Sequence, residues 1–276
     1  MKYIIPIKQV PETNAVKMDE ATGTMIREGV EAIINPLDLY SLELGLRLRE
    51  RTSGEIVAIT MGPPKAERAL REAVAMGADS AVLLSHKEFA GSDTWATSLV
   101  LAAAIRKLGG GDLVICGERA TDGDTGQVGP GIASWLDLPI VSYVAGVDDV
   151  NASILRARRL VEDGYEKVEM DLPGVITVVK EASAPRLPTL RGKQRARGVQ
   201  IPIWGPDDLG IPVGQRGLEG SPTRVVKIFH PKVSRKAHLV NASDPVSIEK
   251  AASELIEFLE RSNLLPQSTS KRGTQK

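Results

Sequence analysis

Along the first half of the chain, apolar residues come in short runs separated by longer stretches where they recur every three or four positions. The runs at residues 3–7, 55–61, 81–84, 113–116 and 140–147 have the length of buried strands, and the stretches between them have the period of helices. Such alternation over the first 146 residues predicts a parallel sheet with helices on both faces.

Several helix ends can be read from local chemistry. Asn35-Pro36 predicts an N-cap with proline in the first turn, after which Leu37, Tyr40, Leu44 and Leu48 share one face. "KAERALREAVAMGA" stops at Gly77, and "DTWATSLVLAAAIRKLGG" runs from an Asp93 cap to glycines at 109–111. Pro6 conflicts with a strand interior and predicts an edge, a bulge or a strand end that a ligand approaches.

The pattern changes after Val150. "ILRARRLVEDGYEKVEMDL" is two runs around Asp163-Gly164, a hairpin signal, and "GVITVVK" supplies a further strand. Residues 184–232 carry seven prolines and no period, so they are expected to be functional, disordered or wrapped on something else. Asp244-Pro245 then opens an amphipathic helix with Ile248, Ala251, Ala252, Leu255 and Leu259 on one stripe. The terminal "PQSTSKRGTQK" is expected to be disordered.

Composition narrows the function classes. Aromatic residues make up only 4% of the chain, so the core must be aliphatic. The 35 basic and 35 acidic residues cancel, which leaves no global field to attract nucleic acid or an anionic membrane. Cys116 is the sole cysteine, which excludes an internal disulfide, and "MKYIIPIKQV" lacks a signal peptide, so the expected location is the cytoplasm. No apolar run approaches the roughly 18–20 residues of a membrane span, so no membrane insertion is expected. His86, His230 and His238 lack ligand-like spacing, and no metal site is expected.

Candidate chemistry lies in "GERATDGDTGQVGP", residues 117–130, directly after the run ending at Cys116. In open α/β sheets, ligands bind beyond the carboxyl ends of the strands, where backbone amides and helix N-termini converge. Glycines let the loop approach a ligand closely, and the following helix "QVGPGIASWL" offers free N–H groups to pyrophosphate. Asp122 and Asp124 have the wrong sign for that ligand, so they are expected to cap the helix with their side chains, while Thr125 and Gln127 add neutral donors. An ordinary βα turn remains the competing reading of this stretch, since it is neither GxGxxG nor GxxxxGK[ST]. Neither an SGGxDS-like nor a GxxGx9G[ST]-like loop is present, so ATP-dependent chemistry has no visible apparatus. "IPIKQVPE", "NPLD", "ITMGPP" and "GSDTWATS" also adjoin apolar runs and would gather on the same rim. Cys116 itself reads as a small buried residue.

Together, "IKQVPET", "NPLDLYSLE", "ITMGPP", "AVAMGADSAVLL", "ICGERATDGDTGQVGP" and "LPGVITVVKEASAPRLPTLRGK" resemble the beta subunit of electron-transfer flavoproteins over nearly the whole chain. The resemblance implies a Rossmann-like, adenine-nucleotide-binding α/β domain over residues 1–183, including a small β-hairpin portion. Residues 184–276 would form a C-terminal arm that embraces an alpha subunit, with a recognition loop at 184–200 and a helix at 245–261. "KQVPET", "NPLDLY" with Asp38 and Tyr40, "TMGPP" and "AGSDTWATS" look like the electron-bifurcating and nitrogen-fixation-associated branch.

In that branch the beta site holds FAD, which accepts hydride from NADH. Electrons pass to ferredoxin or flavodoxin and, through the alpha-subunit FAD, to an acyl-CoA dehydrogenase or a quinone-linked oxidoreductase. The alternative is the conventional branch, a single-FAD carrier in which the beta site holds AMP. Either way the chain is a redox subunit and not a free-standing enzyme. Carried over by motif, Pro6, Lys8, Asn35, Asp38 and Met61 lie around the adenosine and ribose or near the flavin entrance. Cys116 and Gly117, at the end of the strand below them, are also expected to bind the cofactor. Ala120, Thr121, Asp122, Gly123, Asp124, Thr125, Gly126, Gln127 and Val128 hold the phosphates, and Asp93, Thr94 and Thr97 line the remaining nucleotide. Glu118-Arg119, Thr121 and Gly126 depart from the family's usual residues, which leaves Arg119 as either a charge contact or a solvated side chain. Leu190 matches a leucine that anchors a partner dehydrogenase, with Arg191, Lys193, Arg195 and Arg197 as basic residues of the same docking loop.

Overall fold

The computed structural model describes residues 1–12, 17–18, 25–26, 32–224, 239–240, 242–262 and 264. It divides into two units, Met1–Val225 and Val226–Lys276. The tail expected to be disordered, 266–276, lies outside the described residues.

The first unit is built on a nine-stranded sheet. Its strands are β1 (Lys2–Pro6), β6 (Glu55–Met61), β7 (Ser80–Leu84), β8 (Leu113–Gly117), β9 (Ile140–Val150), β10 (Ile154–Val161), β11 (Gly164–Asp171), β12 (Gly174–Val178) and β13 (Ile203–Trp204). The short strands β2 (Gln9–Pro11), β3 (Lys17–Met18), β4 (Met25–Ile26) and β5 (Ala32–Ile34) form two separate pairs. In the main sheet the order is β11-β10-β9-β12-β8-β1-β6-β7-β13. Along the order from β9 through β12, β8, β1, β6 and β7 to β13 every pairing is parallel, and the β9–β10 and β10–β11 pairings are antiparallel.

The helices are α1 (Pro36–Thr52), α2 (Glu67–Met76), α3 (Thr94–Lys107), α4 (Val128–Leu136) and α5 (Leu190–Gly198). Because side chains alternate along a strand, β1 sends Tyr3 and Ile5 to one face and Ile4 to the other, and β8 divides Leu113 and Ile115 from Val114 and Cys116 in the same way. The first face is covered by α1, α2 and Ala196 of α5, and the second by α3, α4 and Ile211. Each fully buried leucine or isoleucine in these layers stabilises the fold by about 1.5–3 kcal/mol, so a core of this extent rests mainly on aliphatic packing, with Tyr3 and Phe89 as its buried aromatic residues.

Three local details differ from expectation or decide between alternatives. Pro6 ends a strand that is paired on both sides, so of its three readings the strand end is the one observed. In β9, Ser142 and Tyr143 bulge against β12, with Tyr143 at φ 60° and its amide donating to Thr177 Oγ1 at 3.0 Å. Residues 190–198, part of the stretch without an apolar period, form α5, because Thr189 caps the helix and α2 supplies its packing surface. Proline-rich residues up to 224 therefore belong to the first unit, where Ala196 and Ile211 are buried.

The sheet edges are polar or short. Across β9, β10 and β11, Arg156 pairs with Glu169 at 2.7 Å and Asp149 at 3.5 Å, Arg158 with Asp148 at 2.9 Å, and Arg159 with Glu166 at 3.9 Å. At the opposite edge β13 has only two residues.

The second unit contains α6 (Pro245–Arg261), bounded as the sequence predicts. Its capping box has Asp244 Oδ1 accepting the amides of Val246 and Ser247 at 3.0 Å, while the Asp244 amide donates to Ser247 Oγ at 3.1 Å. Val246, Ile248, Leu255, Ile256 and Phe258 are exposed on it. No helix among the described residues is long and apolar enough to cross a membrane.

Candidate nucleotide site

The strand order reverses at β1. The chain moves outward from β1 to β6 and β7, then returns to place β8 on the other side of β1. Loops leaving β1 and β8 therefore diverge to opposite faces and open a crevice beyond their carboxyl ends. The loops after β6 and β7, carrying Met61 and the Asp93 cap of α3, end on the same rim because those strands are parallel to β1.

Asn35 and Asp38, at the start of α1, tie these loops together. Asn35 is fully buried, but its side chain does not cap the helix as predicted. Its Oδ1 accepts the Thr121 amide at 3.1 Å and its Nδ2 donates to the Arg119 carbonyl at 2.9 Å, so the side chain spans the glycine loop. Asp38 Oδ2 accepts the Lys8 amide at 2.7 Å. A β-carbon at Gly117 would lie 2.2 Å from Asp38 Oδ1, so the strand end and the carboxyl approach to a distance that only glycine allows. Burial pushes the Asp38 carboxyl up to about 7, against the lowering effect of hydrogen bonds from Lys8 and Asn35. Burial also raises the Cys116 thiol, with the nearby Asp38 charge adding to it, so this cysteine is inert packing.

The two loop aspartates do not cap α4. Asp122 pairs with Lys8 Nζ at 2.6 Å and Asp124 with Arg119 Nε at 3.0 Å. The physical reason is distance along the chain: α4 begins only at Val128, and its N-cap position is Gln127. Arg119, read earlier as either a charge contact or a solvated group, also meets Glu118 at 3.6 Å and so neutralises acid within its own loop.

Some loop amides are consumed internally. Those of Gly123 and Asp124 both donate to the Ala120 carbonyl, at 3.3 and 2.8 Å. Left-handed backbone at Asp124 (φ 53°) and Gly126 (φ 64°) then swings the chain round into α4. Among the described residues, the amides of Thr125, Gly126, Gln127 and Val128 have no backbone or side-chain acceptor. They precede a nine-residue helix whose N-terminus carries partial positive charge, and Thr121–Thr125 and Gln127 are exposed. Thr94 Oγ1 meets Gln127 Oε1 at 3.3 Å, which links α3 to this segment. Thr97 is half-buried one turn further along.

Asp93 has a role that its sequence context does not reveal. Its Oδ1 caps α3 through the Ala96 amide at 3.0 Å, as predicted, while Oδ2 accepts the amide and hydroxyl of Thr223 at 2.9 and 2.7 Å. Its own amide donates to Ser221 Oγ at 2.9 Å. Although partial burial opposes it, these hydrogen bonds hold the carboxyl below its usual range. No group of three or more His, Cys, Asp or Glu among the described residues is arranged to hold a metal. The arrangement thus offers an anion cradle of main-chain amides, with acid already neutralised by Lys8 and Arg119.

Known proteins resemble this chain over nearly its whole length. The family profile described as Electron transfer flavoprotein domain matches residues 22–209. The chain is 45% identical over 260 residues to an electron transfer flavoprotein subunit beta of Thermoanaerobacterium thermosaccharolyticum, covering 94% of this chain and 98% of that protein. It is 42% identical to the caffeyl-CoA reductase-Etf complex subunit CarD of Acetobacterium woodii, covering 96% and 100% of the two chains. It is 41% identical to the protein FixA of Azotobacter vinelandii, covering 91% and 93%. The chain belongs to the electron-transfer flavoprotein family, as a beta subunit of the group that includes CarD and FixA.

Proposed function

We propose that the crevice holds FAD, with its phosphates on the amides of residues 125–128, and that the complex takes hydride from NADH at this site. The observation that carries the reading is the row of acceptor-free amides leading into α4, beside the exposed Thr125 and Gln127, at the point where the strand order reverses. FAD, when bound, supplies the hydride acceptance and the division into single electrons, one for the alpha-subunit FAD and a high-potential acceptor, the other for ferredoxin or flavodoxin.

The chain's own residues bind, orient and insulate. Asn35 fixes the loop at the height the phosphates need, Lys8 balances Asp122 at the mouth, and Thr94 positions Gln127. Asp38, Met61, Thr97 and the end of β1 at Pro6 form the remaining wall. The exposed stripe of α6 is the surface offered to the alpha subunit. Leu190, with Arg191, Lys193, Arg195 and Arg197 around it, docks an acyl-CoA dehydrogenase or a quinone-linked oxidoreductase. The likeness to a subunit named for a caffeyl-CoA reductase complex supports the former class.

The test is anaerobic purification of the heterodimer with flavin quantified. Two FAD per heterodimer and bleaching by NADH are the expected results. One FAD with one AMP, and no bleaching by NADH, would replace this reading with the single-flavin carrier.

A further inference from the structure

Residues 187–190 span the gap between two clamps. On one side, Ser183 Oγ donates to the Tyr40 carbonyl at 2.9 Å. Arg186 lies along α1, with its amide, Nε and Nη2 donating to the Glu43 carboxylate at 3.1, 2.8 and 3.1 Å and its Nη1 donating to Glu50 Oε1 at 2.6 Å. The Glu43 side chain is only 3% exposed. Burial alone would raise its carboxyl, but hydrogen bonds from Arg186 and Arg47 hold it below the usual range. On the other side, Arg195 Nη2 donates to the Val74 and Ala78 carbonyls at 2.8 and 2.6 Å, and a β-carbon at Gly192 would lie 2.0 Å from the Ala75 carbonyl oxygen. Between these fixed points Leu187 and Leu190 are each 86% exposed, an unusual state for two leucines held on a rigid support.

We infer that Arg186 is a positioning residue for docking: gripped by Glu43 and Glu50, it holds Leu187 and Leu190 outward as one preformed apolar pair for an acyl-CoA dehydrogenase partner. The inference rests on the docking role proposed above for Leu190. It divides the basic residues of this segment into two kinds. Arg186 and Arg195 are spent inside the molecule, whereas Arg191, Lys193 and Arg197 form no ion pair among the described residues and face the encounter. A bidentate guanidinium suits the first task, because its planar fork satisfies two carboxylates with little ordering at the moment of binding. Preorganisation of this kind lowers the entropy lost when two surfaces meet.

The experiment uses the intact heterodimer as substrate of its acyl-CoA dehydrogenase. Arg186→Gln should raise KM for the heterodimer about five- to tenfold with kcat and flavin content near wild type, and Leu187→Ala should raise it to a similar extent, as truncation of an apolar anchor does. Arg186→Lys should restore part of the loss, since an ammonium cannot span both carboxylates. A nitroxide on Leu190→Cys should be immobile in an otherwise wild-type chain and mobile with Arg186→Gln; this chain's other thiol, Cys116, is buried. Wild-type KM and an immobile label in Arg186→Gln would overturn the inference, and should that variant not fold, the same result in Arg186→Lys would do so. If Leu190→Ala itself leaves KM unchanged, the docking role falls and the inference with it. If Leu190→Ala raises KM while the Arg186 variants do not, the clamp alone is refuted.

Discussion

The main-chain amide of Lys8 donates to the buried Oδ2 of Asp38 at 2.7 Å, so the end of one strand is tied to the first turn of the helix beside it through a carboxyl shielded from water. Because burial raises that carboxyl to about 7, the folded chain holds its proton more tightly than the unfolded chain does. The stabilisation is complete below the unfolded value and is lost as pH rises through about 7. Asp38→Asn removes this dependence. Thermal unfolding compared between pH 5 and 8 should show the wild type losing ground to the variant by on the order of a few kcal/mol. Parallel pH profiles would contradict the assignment.

Asn35→Ala releases the Thr121 amide and the Arg119 carbonyl together. Two backbone groups orphaned at a part-buried site should cost about 1–3 kcal/mol of stability, and the loop should lose its grip on nucleotide. The flavin-to-protein ratio after gel filtration reads the second effect, and a melt reads the first.

Gly117 ends β8 and Gly123 lies in the loop that follows, and the two should respond differently to enlargement. A methyl group at Gly117 meets Asp38 Oδ1, whereas nothing lies within 4 Å of a β-carbon at Gly123. Gly117→Ala should therefore destabilise the fold by about 1–3 kcal/mol through overpacking. Gly123→Val should leave the melting temperature near wild type and lower nucleotide retention. Equal melting shifts in both variants would count against the distinction.

Asp93→Ala removes the cap of α3 and the anchor of Thr223 at once. The loss should be about 1–2 kcal/mol from the cap alone, with faster proteolytic cleavage near residues 217–224. Asp93→Asn retains the acceptor of the cap and should fall between the two.

The sheet and its helices were legible because aliphatic runs, proline entries and glycine exits repeat the same local rules, and the hairpin at Asp163-Gly164 and the helix from Pro245 followed from the same signals. The position of the glycine loop between β8 and α4 was legible, but its internal wiring was not. Asp122 and Asp124 carry no mark in the sequence that chooses a helix cap over Lys8 and Arg119, which approach them from elsewhere in the chain. The α5 segment was missed because it buries Ala196 alone and is held through Arg195 on the Val74 and Ala78 carbonyls, leaving no apolar period to read. Glu43 gave the only available hint of the Arg186 clamp, an acid on the face of α1 that packs inward.

The charged side chains of β11 and the shortness of β13 have a consequence for the life of this subunit before assembly. An open sheet is a template on which a strand from a second molecule can pair, and a nascent chain waiting for its partner is open to such recruitment. A strand adding beside β11 would have to lie against the charged Glu166, Lys167 and Glu169, while the two residues of β13 offer too little ladder to seed a fibril.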